Sequence, residues 1–398
     1  LAEMMDYVSV IHQAPEAVQK ILCSQAHHKK IDGHAPGLSG LALNAYIAAG
    51  VYSDHECFTF ENALEKLQKG QFIMIREGTA AKNLKALLPL MNQQYYSRLM
   101  FATDDKHPSD LLHGGHIDYI VKSAISLGVD PIIAMKVASH NAARYFLMNN
   151  KGAIAPGYLA DFVIFDNFRN FEIQTVIKKG KVVAQGGKAL DFPNPEVPFT
   201  LEAAARDTFH LADITPDQLR CDRPLGRLGL IPGELVTRNL GVAAQADPSQ
   251  DILKICVAER HHSTGHLGMG YLTGYGLKKG AVATSIAHDS HNIIAVGASD
   301  ADLALAINHV KAMGGGIAVV ADGQLMADLP LPIGGLISDQ PLEKVNDRLE
   351  NAKEKARALG VSPGVDPFMT LSFMSLTVIP SLRVTTRGVF DVESQRYV

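Results

Sequence analysis

Residues 71–77 read Gln71-Phe72-Ile73-Met74-Ile75-Arg76-Glu77, an apolar run that two charged residues close. A short strand buried on both faces of a parallel sheet has this pattern. Comparable runs lie on both sides of it in the first 150 residues. The sequence therefore predicts five strands, which we place around residues 1–5, 30–32, 49–53, 71–76 and 99–103.

The segments between these runs have the composition and spacing of helices. Thr59 is the predicted N-cap of the third helix, and Gly70 is predicted to end it. Strands that alternate with helices at this spacing are typical of βα units and a parallel sheet. The predicted helices cover residues 14–26, 39–48, 60–69, 80–93 and 111–127.

The pattern changes after Gly152, where short strands follow one another without helices. These strands, near 162–166, 173–177 and 182–183, predict a small separate antiparallel sheet. A polar linker at 192–199 then leads to a mixed segment with helices at 300–313 and 342–359. Its predicted strands lie at 252–258, 280–287, 293–297, 316–322 and 382–389. We therefore expect three domains, at 1–150, 151–192 and 200–398.

Composition excludes several classes of function. The net charge of −4 gives no reason to expect nucleic acid or an anionic membrane as partner. No apolar run is long enough to span a bilayer, and no signal peptide is recognisable. Four cysteines without a CxxC pair fit a reducing compartment, so we expect a cytoplasmic protein.

A polar residue closes each apolar run of the first domain: Glu3, His34, His55, Glu77 and Asp104 in turn. In a parallel (β/α) barrel, the carboxyl ends of all strands face the same side. These residues are therefore expected to converge in space. Imidazole and carboxylate groups bind divalent transition metals, and a carboxylate can bridge two ions. The pattern predicts a metal centre.

Several motifs resemble those of the bacterial-type adenine deaminases of the amidohydrolase superfamily. The Pro156-Gly157 and Ala160-Asp161 pairs are similar to a pattern of the wider superfamily, where the chain returns to a small β-sandwich. The resemblance extends through nearly the whole chain. Its motifs are Leu1-Ala2-Glu3-Met4-Met5-Asp6-Tyr7, Asp32-Gly33-His34-Ala35-Pro36-Gly37, Asn44-Ala45-Tyr46-Ile47-Ala48-Ala49-Gly50, Met74-Ile75-Arg76-Glu77-Gly78, Thr103-Asp104-Asp105, Gly115-His116-Ile117-Asp118 and Ala287-His288-Asp289-Ser290-His291-Asn292.

The resemblance implies an α/β fold: a partial (β/α)₈ TIM-like barrel, a β-sandwich segment and a C-terminal α/β (α+β) domain. It also implies two divalent metal ions, Mn, Fe(II) or Zn. Glu3 would bridge the two ions, and His34 and His55 would be ligands. Asp104 would bind metal and shuttle the proton.

The chain departs from the family pattern at one point. The His-x-His ligand pair expected after the first barrel strand does not occur in the sequence. Only about five of the eight strands are recognisable. We therefore expect the upstream strands to belong to a missing N-terminal segment or a separate chain, and this polypeptide alone to lack half of one metal's ligands.

The implied reaction is the hydrolysis of adenine to hypoxanthine and ammonia by a metal-activated hydroxide, as in purine salvage. One acid must protonate a ring nitrogen, and Glu77 and Glu56 are the candidates. Arg76 is expected to contact substrate, or else to pair with Glu77. In the C-terminal domain, His288 and His291 are expected substrate contacts, and a second metal site near these histidines is an alternative.

Two other functions remain open at this point. The same scaffold serves deaminases and cyclic amidases that act on other rings, because fold alone does not fix the substrate. Alternatively, the missing His-x-His pair favours a non-catalytic fragment that acts as a binding module. If the protein is an adenine deaminase, its expected partners are the small-molecule substrate adenine and further copies of the chain in a homo-oligomer.

Overall fold

The computed structural model describes residues 1–79, 81–190 and 197–398. The chain forms two compact units, Leu1–Asn194 and Pro195–Val398. No helix within the described ranges is both long enough and apolar enough to cross a membrane. Each unit has its own sheets and its own buried apolar core.

The first unit contains a three-stranded parallel sheet in the order β1-β2-β3, as the alternation of strands and helices predicts. Its strands are β1 (Ser53–Asp54), β2 (Phe72–Arg76) and β3 (Leu99–Ala102). The two earlier predicted strands pair with each other through a parallel bridge between Met4 and Gly33. The predicted order of strand segments is therefore present, although the first two segments pair only through this one bridge.

Nine α-helices of the described residues belong to this unit. The side chain of Thr59 accepts a hydrogen bond from the amide of Asn62, which confirms it as an N-cap. Gly70, with φ of 95°, follows the end of the same helix. The helices are α1 (Tyr7–Ile11), α2 (Pro15–Ala26), α3 (Gly40–Ala48), α4 (Phe60–Gln68), α5 (Leu84–Leu87), α6 (Pro108–His113), α7 (Ile117–Ser126), α8 (Pro131–Met135) and α9 (Asn141–Tyr145).

Two helix predictions need correction. The segment 111–127 is not one helix, because Gly114 ends α6 and Gly115 adopts φ of 96° before α7 begins. The segment 80–93 is helical only in α5 and the following 3₁₀ turn, Leu88–Leu90. Pro89 in that turn has no N–H for a continuing α-helix. Its predicted first residue, 80, lies outside the described residues.

The small antiparallel sheet predicted after Gly152 is present, with four strands in sequential order. They are β4 (Phe162–Phe165), β5 (Ile173–Lys178), β6 (Lys181–Gln185) and β7 (Lys188–Ala189). The predicted linker falls largely on residues 191–196, outside the described part of the chain. The domain boundaries at 150 and 192 therefore stay predictions.

The second unit is built on an eight-stranded sheet in the order β15-β14-β12-β13-β10-β11-β8-β9. Its pairs are antiparallel except for β8 and β11. The strands are β8 (Leu225–Leu230), β9 (Thr237–Ala243), β10 (Leu253–Ala258), β11 (Leu267–Thr273), β12 (Ala281–Thr284), β13 (Ile293–Gly297), β14 (Gly316–Ala321) and β15 (Gln324–Pro330). A separate antiparallel sheet holds β16 (Leu382–Thr385), β17 (Gly388–Asp391) and β18 (Arg396–Tyr397).

The α-helices found among the described residues of this unit are α10 (Phe199–Arg206), α11 (Asp300–Ala312), α12 (Leu342–Ala358) and α13 (Met369–Phe373). Both predicted helices of this segment, near 300–313 and 342–359, are confirmed as α11 and α12. The single strand predicted at 382–389 is wrong. It is the hairpin β16–β17, which turns before Gly388 with φ of 117°.

A guanidinium fixes this hairpin to the large sheet. Arg383 has no exposed surface, and it donates hydrogen bonds to four carbonyls and to the hydroxyl of Thr237. Burial lowers its pKa to about 9, which leaves it charged at neutral pH. The charge is therefore stabilised by backbone dipoles at the start of β9 and around β16.

Replacing Arg383→Met should lower the free energy of unfolding of the second unit by about 2–4 kcal/mol, because several buried carbonyls lose their donors. Urea denaturation followed by circular dichroism measures this. The control is Arg387→Met, on the exposed turn of the same hairpin, which should change stability by less than about 0.5 kcal/mol. Equal effects of the two substitutions would contradict the assigned role of Arg383.

Candidate metal centre and active site

Glu3, His34 and His55 come together at one edge of the first unit, as the strand-end pattern predicts. Each offers a ligand atom, and these atoms lie within 4.8 Å of one another. Oε1 of Glu3 is 3.5 Å from Nδ1 of His34, and Oε2 is 3.1 Å from Nε2 of His55. The two carboxylate oxygens therefore face different imidazoles, an arrangement that suits a bridging carboxylate.

A second group adjoins the first and shares His55 with it. His55, Glu56 and Asp104 also have ligand atoms within 4.8 Å of one another. Oε1 of Glu56 lies 3.5 Å from His34 Nδ1 and 3.4 Å from His55 Nε2. Five of the predicted site residues, all at or beside strand ends, are thus close in space: Glu3, His34, His55, Glu56 and Asp104.

Arg76 connects the acidic groups of the centre. Its Nη1 is 2.5 Å from Oε1 of Glu56 and is also hydrogen-bonded to Oδ2 of Asp104. Within the described ranges, the ion pairs of Arg76 involve these two acids and not Glu77, so the suggested Arg76–Glu77 pair is wrong. Asp104 has φ of 59°, a strained value that turns its side chain at the end of β3.

Glu77 is buried and helps to organise the backbone. Its Oε1 accepts a hydrogen bond of 3.1 Å from the amide of Leu84, at the start of α5. One carboxylate oxygen is therefore used in the fold. Its role as an acid stays a prediction.

Sequence reasoning missed Tyr46, which aligns the first two ligand segments. Its hydroxyl donates to the carbonyl of Met4, next to Glu3, and accepts from the amide of His34 at 3.1 Å. Tyr46 is fully buried in α3, and burial raises the pKa of its phenol. Its position among apolar residues of a helix gives no sequence signal for this role.

Two further residues support the ligand segments. Gly33 has no room for a side chain, because a Cβ there would lie 2.3 Å from the carbonyl oxygen of Ser53. Asn83 accepts a hydrogen bond from the amide of Arg76 and donates to the carbonyls of His55 and Cys57. It therefore connects β2 to the segment that carries His55.

The donor set fits a divalent cation. Nδ1 of His34 is buried and forms no hydrogen bond among the described residues. Burial lowers the pKa of His34, but the adjacent carboxylate of Glu3 and the negative charge of Glu56 outweigh it, so the pKa is raised overall. Three carboxylates thus surround two imidazoles, and Arg76 contacts two of the carboxylates, which leaves negative charge that favours a cation among them.

Comparisons with known proteins match both units. The family model for the amidohydrolase family matches residues 2–183, and the model for the adenine deaminase C-terminal domain matches 234–396. The adenine deaminase of Dehalococcoides mccartyi (strain ATCC BAA-2266 / KCTC 15142 / 195) is 46% identical over 406 residues, which cover 100% of this chain and 70% of that protein. The chain belongs to the adenine deaminase family. Adenine deaminase 2 of Carboxydothermus hydrogenoformans is 45% identical, covering 99% of this chain and 70% of its own length.

Membership of the adenine deaminase family confirms the predicted fold class. The first unit carries the amidohydrolase match, with its parallel strands followed by the small antiparallel sheet. The second unit carries the C-terminal domain match and has the mixed α and β structure predicted for it. Adenine deaminases of the amidohydrolase superfamily are metal-dependent, in agreement with the donor set described above.

The predicted substrate contacts His288 and His291 belong to the second unit, where their rings lie 6.1 Å apart. His288 also stacks on Phe373 at 4.7 Å. Burial and the charge of His288 lower the pKa of His291. Both groups of donors that could share an ion, among the described residues, lie in the first unit. The alternative of a second metal site near these histidines therefore has no support in the geometry, and the substrate-contact role stays a prediction.

A carboxylate organises the neighbouring histidine loop. Glu259 accepts hydrogen bonds from the amides of His261, His262 and Thr264 and from the Thr264 hydroxyl. Burial by itself raises the pKa of Glu259, but these hydrogen bonds outweigh it and lower the pKa to about 2. The loop conformation therefore depends on an ionised Glu259.

Metal binding should depend on Glu3 and His55. Equilibrium dialysis of the purified chain against Mn²⁺ should show at least tenfold weaker binding for Glu3→Gln and for His55→Ala, because each removes a ligand. His12→Ala, at an exposed histidine after α1, is the matched control and should bind as the unchanged protein does. Unaltered affinity in both site variants would show that the ion binds elsewhere.

Glu259 should make the second unit sensitive to acid. Its pKa is lower in the folded state than its ordinary value of 4.5, so its contribution is complete above pH 4.5 and is lost as the pH falls toward 2. The full contribution is about 3 kcal/mol. Urea midpoints measured between pH 2 and 7 should converge for Glu259→Gln and the unchanged protein at the acid end. Glu393→Gln, at an exposed site, should leave the pH profile unaltered.

Proposed function

We propose that this protein catalyses the hydrolysis of adenine to hypoxanthine and ammonia at the centre formed by Glu3, His34, His55 and Asp104. The observation that carries the proposal is the convergence of these ligand atoms in a chain 46% identical to an adenine deaminase. The similarity to adenine deaminases over the whole chain does not favour the alternatives of another ring or of a non-catalytic fragment that acts as a binding module.

Glu3, His34, His55 and Asp104 would hold the metal, which we propose to be two divalent ions of Mn, Fe(II) or Zn. Such ions act as Lewis acids and lower the pKa of a coordinated water toward neutrality. Glu3 directs one oxygen to each histidine, so it can serve both ions at once. Glu56 and Arg76 line the same edge and are the proposed substrate contacts.

Asp104 moves the proton in the proposed reaction. Its Oδ2 is held by Arg76, which leaves Oδ1 to accept a proton from the attacking water. The same oxygen then returns that proton to the departing amino group, so the carboxylate acts first as base and then as acid. Water supplies the new ring oxygen. One of its protons leaves with the amino group as ammonia, and the other balances the proton that the ring nitrogen takes up.

Glu77 is the proposed acid at the ring nitrogen. Its Oε1 accepts a hydrogen bond from the Leu84 amide, so Oε2 is the oxygen that would donate to the ring. Protonation of the ring makes the carbon that bears the amino group more electrophilic and stabilises the negative charge that develops there. The proposal further includes a homo-oligomer in the cytoplasm and, from the second unit, substrate contacts by His288 and His291.

The test measures ammonia release from adenine, cytosine, guanine and hydantoin by the metal-loaded chain, alone and supplied with the upstream His-x-His segment that the resemblance implies. Adenine should be the preferred substrate, and Asp104→Asn should reduce kcat at least a hundredfold. Asp118→Asn, in the first turn of α7, is the control for a nearby charge. Preference for another ring would defeat the adenine assignment.

A further inference from the structure

A fully buried ion pair lies behind the candidate metal centre. Lys66 in α4 and Asp54 in β1 both have no exposed surface, and Lys66 Nζ is 2.8 Å from Asp54 Oδ2. Removing two charges from water costs several kcal/mol for each ion. A well-packed apolar pair is often at least as stable as such an ion pair. The role of this pair is therefore not explained by stability alone.

Both ions bind the same residue, Ala35. Lys66 Nζ donates to the Ala35 carbonyl at 2.6 Å, and the Ala35 amide donates to Asp54 Oδ1 at 2.8 Å. Ala35 directly follows His34 in the chain, and Asp54 directly precedes His55. The ion pair therefore connects the backbone beside one proposed ligand to the backbone beside the other.

The Asp54 carboxylate is further fixed by the Cys57 thiol, which donates to Oδ2 at 3.1 Å. Asp54 thus accepts hydrogen bonds from a thiol, an ammonium and an amide, and its orientation is determined on both oxygens. Among the described residues, the segments that carry His34 and His55 do not pair with each other as strands. Residues 30–33 bridge to Met4 instead, and β1 pairs with β2. The spacing between the two imidazoles is thus set largely by side chains.

We propose that Lys66 and Asp54 are positioning residues that hold the imidazoles of His34 and His55 at the spacing needed to bind metal together with Glu3. This inference rests on the metal centre of the proposed function, but it concerns residues that do not touch the ion. The imidazole rings lie 5.6 Å apart, centroid to centroid. Groups that orient metal ligands from behind typically change metal affinity by 10–100-fold.

A matched control pair lies at the C-terminal end of the same helix, where Glu65 is in α4 and Lys69 is its C-cap. Lys69 Nζ is 2.8 Å from Glu65 Oε1, and the two side chains bind the carbonyl and the amide of Gly40 in the same manner. This pair is partly exposed, with 26% and 32% of the two side chains accessible. Gly40 is not adjacent to any proposed ligand. The control therefore reproduces the local chemistry without the connection to the metal centre.

The experiment replaces the buried pair in one step, by Asp54→Leu with Lys66→Met. Apolar replacement of both ions avoids an unpaired buried charge, so the variant should fold, as circular dichroism and a thermal transition will show. Its affinity for Co²⁺, measured by equilibrium dialysis of the full chain, should fall 10–100-fold. The visible spectrum of bound Co²⁺ should also change, because the ligand geometry is altered. The control variant, Glu65→Leu with Lys69→Met, should keep both affinity and spectrum.

A folded double variant with unchanged Co²⁺ affinity and spectrum would overturn the inference. Should that variant fail to fold, Lys66→Arg retains the charge but cannot keep the same ammonium contact with Ala35. Its Co²⁺ affinity should fall at least threefold, and a value equal to that of the unchanged protein would also refute the role. Co²⁺ binding by the unchanged chain, without ammonia release from adenine even when the upstream His-x-His segment is supplied, would defeat the proposed function while leaving this inference intact.

Discussion

The candidate centre depends on hydrogen bonding between parallel segments at the edge of the first unit. Glu3 and His34 are adjacent because Met4 pairs with Gly33, and Tyr46 binds both segments from α3. His55 and Asp104 are added through β1, β2 and β3, which pair in parallel. Residues a hundred positions apart thus reach one site because each lies beside a strand or bridge at the same edge.

The strand-end residues could be predicted from the sequence because each follows a short apolar run at a regular interval. That pattern identified Glu3, His34, His55 and Asp104, which the structure brings together. Helix α4 was predictable for a similar reason, since Thr59 and Gly70 mark its ends with specific backbone geometry. The sequence was sufficient to predict a residue's role wherever that role depends on contacts within its own segment.

The remaining features depend on contacts between distant segments, which a single sequence does not display. Asn83 and Lys66 look like ordinary polar residues, yet both are buried and bind backbone beside the ligands. The hairpin at β16–β17 looked like one strand because the β-branched residues Val384, Thr385 and Thr386 lead into its turn. The fold class was therefore predictable from the sequence, whereas the buried residues that position the metal ligands were not.

The burial of Arg383 affects the order in which the second unit can form during synthesis. Its guanidinium binds the carbonyl of Leu235, which lies 148 residues earlier in the chain. The start of β9 therefore leaves the ribosome long before its partner, and the carbonyl of Leu235 lacks this donor until residue 383 has been synthesised. A nascent chain with such a delay has a prolonged need for protection by chaperones.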